Sequence, residues 1–359
     1  MTEREAQILK WIADDPFISQ QEIARRAGIT RSSAAVHISN LMRKGKIKGK
    51  GYILQESTTI TVVGGVNVDI VGTPYAALIE QDSNPGRVEI SYGGVGRNIA
   101  ENLTRLGVPV ELITVLGDDL HAQEIRSSCG KLGIGLRHAM RAPGQNTSTY
   151  LCLNNADGEM KLAVSDMGLY DRLTPDYLQG KLDAVNRSQL VVMDTNISEE
   201  AIGFLAENCT VPIFADPVST QKAVKLKKHL GKIHTLKPNR IEAELLTGVK
   251  IFNKADLTKA ANEFLRIGVK NIFLSLGQEG VFYADSQNQG LLPCSPANIV
   301  NTTGCGDAFL AAAAWAFSQD WPIQQAARAG LAASALCLEA SAAVSTKLNI
   351  EAIEHRMNV

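Results

Sequence analysis

Asn301-Thr302-Thr303-Gly304-Cys305-Gly306-Asp307-Ala308-Phe309 runs from a turn of small polar residues into an apolar helical pattern that continues to Phe317. Such a turn aims several backbone N–H groups at one point beside a helix N-terminus, which suits a phosphate. Asp307 then stands where a carboxylate can take the proton of an attacking alcohol while the amides hold a transferring phosphoryl group. The stretch also admits a plainer reading, a tight glycine turn with an aspartate cap.

Working outward, Lys237-Pro238-Asn239-Arg240-Ile241-Glu242-Ala243-Glu244 follows the strand-like Ile233–Leu236. Asn239 and Glu242 are three apart and share a helix face, where they can hold Mg²⁺ or its water. The same spacing is that of a capping box, and both readings stand at this point. Nearer the N-terminus, the β-rich run Thr59–Gly65 ends in glycines, and Asn67-Val68-Asp69 is expected at that strand's C-terminal end, where open α/β sheets place their ligands. In Gly93-Gly94-Val95-Gly96-Arg97-Asn98 the glycines let the backbone approach a ligand closely, and Asn98 brings both a donor and an acceptor.

These elements, in this order, resemble the PfkB, or ribokinase-like, carbohydrate and nucleoside kinases over roughly residues 60–345. The resemblance implies an α/β fold, a ribokinase-like α/β/α sandwich with a small β lid, using ATP and Mg²⁺ on a sugar or nucleoside. It implies Asp307 as base, with the Gly304, Cys305 and Gly306 backbone stabilising the transferring group. It assigns Asn67, Asp69, Gly93, Gly94 and Asn98 to the sugar, Asn239 and Glu242 to Mg²⁺ through water, and Ser275, Gly277, Gly280 and Thr303 to the nucleotide. For Asp69 the alternative is a carboxylate satisfying its own turn; for Gly277–Gly280 it is a plain hairpin turn.

Within the family, Asp82–Gly86, Asn146–Tyr150, Asp194–Ser198 and Asp216–Ser219 are most similar to the branch that phosphorylates pseudouridine, which implies transfer to the nucleoside 5′-hydroxyl. Asn146, Thr147 and Thr149 offer amide and hydroxyl groups that match a uracil edge, or are simply lid structure. Other nucleosides or sugars, or a regulator that uses the kinase fold to sense a ligand, are the alternatives. Cys305 stands where the family usually has alanine, either as a tolerated replacement or as an oxidant-sensitive thiol activated by the helix N-terminus. Relatives hold K⁺ through an acidic residue six before the base; Asn301 is neutral there, so K⁺ activation is a weak expectation.

The short apolar runs Leu190–Asp194, Val211–Asp216, Ile233–Leu236 and Asn271–Leu276 alternate with helical patterns, as in a mostly parallel sheet covered on both faces. Segments of about 72–92 and 146–165 break that rhythm with alternating β character and read as the lid. In the family such a lid can also join two copies, so a homodimer is expected.

Residues 1–56 read as a separate object ahead of a 59–359 kinase domain. Ile8, Leu9, Ile12 and Ala13 follow helical spacing, Ser19 and Gly28 bracket a short helix, and Thr30 opens a third, Arg31–Arg43, with apolar Ala34, Val36, Ile38, Leu41 and Met42. The basic Gly45–Leu54 that follows resembles the wing of a winged helix-turn-helix. Ten Lys or Arg against six acids give these residues +4, where the whole chain is at −1. Arg31, Ser32, Ser33 and His37 would open a recognition helix, and Lys46, Lys48 and Lys50 would neutralise DNA phosphates. A small docking or dimerisation domain with a solvated basic face is the alternative.

At 359 residues and 45% hydrophobic, the chain can bury a large core beside this small domain. Its six cysteines form no C-x-x-C pair, which argues against a zinc site or disulfide framework. The start lacks an apolar signal core, and the Ala-rich runs near 310–317 and 329–338 are too short to span a bilayer, so a cytoplasmic protein with no membrane partner is expected.

Overall fold

A computed structural model describes residues 1–47 and 59–358, and the chain divides into two compact units, Met1–Ser57 and Thr58–Val359. In the first, three helices form where the apolar spacing of the first and the caps of the other two predict them. Thr2 and Glu5 make a capping box on Glu3–Asp14, Ser19 caps Gln20–Ala27, left-handed Gly28 ends it, and Thr30 caps Arg31–Arg43. Ile8, Ile12, Ile23, Ala34, Ile38 and Leu41 meet in a small core. Val36 and Met42, expected among the apolar positions of the third helix, are instead 59% and 42% exposed, because the inward stripe falls on Ala34, Ile38 and Leu41. Glu5 is buried and accepts from Lys44 Nζ at 2.7 Å, tying the first helix to the end of the third. Most of the expected wing, with Lys48 and Lys50, lies outside the described residues.

The second unit is built on a nine-stranded sheet. From one edge the order is Gln289–Leu292, Val281–Ala284, Asn271–Ser275, Thr235–Leu236, Ile213–Asp216, Leu190–Asp194, Ile60–Val63, Val110–Ile113 and Ile134–Gly135. All neighbours are parallel except the antiparallel pairs made by Val281–Ala284. The central strands are buried throughout, as the unbroken apolar runs require for a sheet covered on both faces. On one face, helices Val95–Arg105, Cys305–Ser318 and Ile323–Leu338 pack over Ile60, Val62, Val192 and Phe273. On the other, Glu199–Asn208 and Lys254–Ile267 cover Val63, Val191, Met193 and Ile272.

The lid is a second sheet of four strands, ordered Gly86–Gly93, Asn67–Pro74, Thr149–Asn154, Met160–Asp166. It starts earlier than the sequence pattern implied. Asn67–Asp69 does not end the first core strand; it opens a separate strand that leaves the core after Gly64 and Gly65. Alternation along these strands separates two faces. Ile70, Ile90, Leu151 and Val164 are in mutual register on one, and Asp69, Ser91, Tyr150 and Ser165 on the other.

Candidate active site

Three backbone devices bring the site together. Gly94 has φ +100 and caps the Val95–Arg105 helix; a side chain there would lie 2.6 Å from the Gly65 carbonyl. Only glycine permits both that conformation and that approach. A side chain at Gly93 would strike Asp69 Oδ2, so the glycine pair makes room for the carboxylate. Gly304, at φ +83, caps the Cys305–Ser318 helix with no side-chain acceptor, and a Cβ there would collide with the Ala343 carbonyl. The first-turn amides of that helix are therefore left without an intrahelical or capping acceptor, as an anion site requires.

Asp307, in the first turn of that helix, is buried, and its Oδ2 accepts from Asn98 Nδ2 at 2.8 Å. This bond spans the chain from the Val95–Arg105 helix to the Cys305–Ser318 helix. Burial and the nearby Asp216 push the Asp307 carboxyl up to about 7, while Asn98 and Lys237 oppose the shift. A carboxylate poised there suits a general base at neutral pH.

Parallel register places Asp194 directly beside Asp216 at the carboxyl ends of their strands. Asp194 accepts from the Gly65 and Asn196 amides at 2.8 Å each, and burial raises its pKa. Asp216 pairs with buried Lys237 at 3.2 Å. Burial opposes the Lys237 charge, yet Asp216, Asp307 and Glu242 together hold its pKa above the ordinary lysine range. A Cβ on Gly306 would stand 3.0 Å from Lys237 Nζ, so this ammonium reaches the mouth of the amide cradle. Lys237 and Asp216 were quoted in the sequence motifs without a role. A lysine just beyond a buried parallel strand was the signal that could have marked it.

Beside the cradle is a cavity of about 430 Å³ whose lining includes Lys237, Ser275, Gly277, Gly280, Ile299, Thr302, Cys305, Gly306 and Leu338. Apolar walls leading to amides and a lysine fit a purine nucleotide with its phosphates at the helix N-terminus. Gly277–Glu279 forms a short 3-10 turn between antiparallel strands, so the loop is both a hairpin turn and a cavity wall.

The remaining expected residues divide. Asn67 donates to Asp69 Oδ1 at 2.6 Å, and burial raises the Asp69 pKa against the pull of Asn67 and Arg97. Asn239 and Glu242 do form the capping box: Glu242 N–H donates to Asn239 Oδ1 and Asn239 N–H to Glu242 Oε2, both at 2.9 Å. Glu242 is nevertheless buried near Lys237 and Asp216, and its pKa is raised by burial. Thr303 does not line the cavity, whereas Thr302 does; the Thr303 N–H donates to Asn301 Oδ1 at 2.9 Å. Asn301 also donates to the Ser341 carbonyl at 3.1 Å, so its neutral amide joins the two loops where relatives were expected to use a cation.

Thr147 departs from the base-reading expectation. Its N–H and Oγ1 donate to Asp119 at 2.8 and 2.7 Å, and Asp119 in turn caps helix Leu120–Leu132. The hydroxyl is buried and committed to the scaffold, the lid-structure alternative. Thr149 donates to the Thr147 carbonyl at 3.0 Å, and Asn146 is exposed. Arg31, Ser32, Ser33 and Lys46 are exposed and His37 is half-buried; Ser33 Oγ shares a hydrogen bond of 2.9 Å with the Thr30 cap.

The pfkB family carbohydrate kinase model matches residues 57–349. The chain belongs to the PfkB carbohydrate kinase family. A winged helix-turn-helix DNA-binding model matches residues 1–48 and identifies the N-terminal unit. The uncharacterized sugar kinase YeiI of Escherichia coli (strain K12) is 39% identical over 340 residues, covering 94% of this chain and 93% of that protein. The pseudouridine kinase of the same organism is 37% identical over 287 residues, covering 79% and 92%. A carbohydrate kinase structure from Agrobacterium tumefaciens, 29% identical, superposes with a TM-score of 0.73 over 84% of this chain and 97% of that one. An Arabidopsis thaliana ribokinase complexed with ribose and ATP is alike in fold, with a TM-score of 0.77 at 22% identity over 84% and 99%. PfkB-family kinases are phosphotransferases, and the sandwich, lid and helix N-terminus described above are the family's architecture in this chain.

Proposed function

We propose that this PfkB-family chain transfers phosphate from ATP to the 5′-hydroxyl of pseudouridine. The observation that carries the reading is the Asn98–Asp307 bond. It sets a base with a pKa of about 7 between the glycine turn at Gly93–Gly94 and the amides at the head of the nucleotide cavity.

Bound in that cavity, ATP·Mg²⁺ supplies the phosphoryl group and the charge neutralisation of its transfer. The chain does the rest by positioning. Asp69, held by Asn67, accepts the ribose hydroxyls, and Gly93 and Gly94 let the sugar lie close to the backbone. Asp307 takes the hydroxyl proton while Asn98 fixes its carboxylate. The amides of Cys305, Gly306 and Asp307, with Lys237, stabilise charge on the transferring group. Asn239 and Glu242, the latter beside Lys237, would hold the waters of the bound metal. Among the described residues no cluster of three His, Cys, Asp or Glu is arranged as a direct cage. Pseudouridine is favoured by the 37% identity to a pseudouridine kinase and by the Asp194–Ser198 and Asp216–Ser219 segments, which stand at the carboxyl ends of adjacent strands. Asn146 and Thr149 remain for the base edge.

The deciding experiment presents ATP·Mg²⁺ with pseudouridine, uridine, adenosine, ribose and fructose separately, and identifies products by mass. Turnover confined largely to pseudouridine is expected. Turnover of another acceptor would replace the substrate and keep the mechanism, and binding without turnover would favour a ligand-sensing regulator.

We further infer that the N-terminal unit binds DNA through Arg31, Ser32, Ser33, His37 and Lys46, with Lys48 and Lys50. A gel-shift on the protein's own promoter region should show affinity that falls steeply with salt; affinity independent of salt would reject it. A homodimer is supported by the lid's outer face, where Val88, Ile90, Leu151, Leu162 and Val164 are exposed in one apolar patch. A reducing cytoplasm suits six free thiols, and no helix among the described residues is long and apolar enough to cross a membrane.

A further inference from the structure

Cys305 opens the Cys305–Ser318 helix and lines the nucleotide cavity. Cys337 lies in the last turn of helix Ile323–Leu338 and is buried against it. Two hydrogen bonds tie the end of the second helix to the turn that opens the first. Ser334 Oγ, one turn before Cys337, donates to the Cys305 carbonyl at 2.9 Å, and the Cys337 thiol reaches the carbonyl of Thr303 at 3.4 Å. The two thiols also interact with each other. Donation from Cys337 lowers the Cys305 pKa against the effect of burial, and the uncapped helix N-terminus acts in the same direction. Cys337 responds in the opposite sense and keeps its proton. The pair thus has the division of labour of a redox dithiol: an accessible nucleophilic thiol and a buried protonated neighbour.

We propose that Cys305 and Cys337 are a modification site at which a hydroperoxide closes a disulfide between the two helices and switches off the nucleotide site. The Cys305 thiolate attacks the peroxide O–O bond, becoming a sulfenic acid as the hydroperoxide leaves as its alcohol or, for hydrogen peroxide, as water. Cys337 sulfur then displaces the sulfenic oxygen, which departs as water with the Cys337 proton. Two thiols are oxidised and one hydroperoxide is reduced. Cys294 also lines the cavity, but its thiol donates to the Gly277 carbonyl at 3.2 Å, whereas the Cys337 thiol meets the turn that carries Cys305, so Cys337 is the resolving partner. The bond would fix the first turn of the helix whose amides form the phosphate cradle. There Gly304 already packs against the Ala343 carbonyl with no room to give, and Ala343 is also an acceptor for Cys337.

The test treats the intact protein with stoichiometric hydrogen peroxide, counts free thiols, and maps linked peptides by mass with fragment ions separating Cys294 from Cys305. A Cys305–Cys337 link is expected, with two of the six thiols lost, and dithiothreitol restores both thiols and activity. In Cys337→Ala the link is absent, untreated turnover is retained, and excess peroxide takes Cys305 through the sulfenic to the sulfinic acid, which dithiothreitol does not rescue. A link through Cys294, or no link while Cys305 oxidises alone, overturns the proposal. The bond is read by mass and needs no assumption about substrate, whereas its effect on turnover, a fall of about tenfold or more, rests on the function proposed above. A link that leaves nucleotide binding unchanged would overturn the switch even if the kinase reading stands.

Discussion

The two ends of the site are built on opposite principles. At the proposed phosphate end, five consecutive residues, Thr303–Asp307, carry the turn, the uncapped amides and the proposed base, and of these only Asp307 is buried. At the proposed sugar end, Asp69 sits in a four-stranded sheet assembled from segments up to about a hundred residues apart, one face of which is apolar and exposed. Chemistry shared by a family is fixed where the backbone is most constrained. In the function proposed above, selectivity falls to a sheet whose side chains can change without disturbing the core.

The largest effect that would sharpen this contrast is at the base. Asp307→Asn should lower kcat by about 10²-fold or more, measured by ADP release, with little change in substrate affinity. For the parent, kcat/KM should rise with pH through about 7, because the deprotonated carboxylate is the active form. Stability should run the other way. The folded pKa lies above the unfolded 3.8, so the folded state holds this proton more tightly and loses stability as pH rises from about 4 to about 7. The Asn variant avoids that loss. It should melt at a higher temperature than the parent at pH 8, with the difference fading toward pH 4. A variant with unchanged kcat, or one less stable at pH 8, would break the assignment of base and strain to the same residue.

Next is Lys237→Met. It removes the cation that Asp216, Asp307 and Glu242 share, so the Asp307 pKa should climb and the rising limb of kcat/KM should move to higher pH. Melting temperature should also fall, since one partner of a buried pair is left uncompensated at about 3–5 kcal/mol. An unmoved pH limb would separate Lys237 from the base.

The smallest effect on catalysis should come from the lid's outer face. Leu151→Asp introduces charge where Ile70, Ile90 and Val164 are in register, so sedimentation should show monomer while Asp307-dependent turnover falls only a few-fold. Loss of activity as large as that of Asp307→Asn would mean that the sugar end is no more independent of the core than the phosphate end.

The difference between the ends also explains what was legible in the chain. The second and third N-terminal helices followed from caps at Ser19, Gly28 and Thr30 and the first from its apolar spacing, all local features, and the core strands followed from unbroken apolar runs. Gly304 and Asp307 were readable because a glycine turn and a helix first turn are neighbours in sequence. Thr147 stayed open between a uracil edge and lid structure because its partner Asp119 stands 28 residues earlier, and a hydroxyl that matches a uracil edge matches a helix cap equally well. Asn239 and Glu242 form the capping box, and of the two only Glu242 stands among the buried charges.

The sequence by itself determined the family, the glycine turn that opens a helix and the carboxylate in that helix's first turn, since each is carried by residues a few positions apart. Only the tertiary structure decided the surroundings of that carboxylate. The bond from Asn98 crosses 209 residues, the Asp194–Asp216 register brings like charges together, and Lys237 balances them from the end of a third strand. A pKa is set by burial and by charges a few ångströms away, and neither is a property of neighbouring positions in a chain.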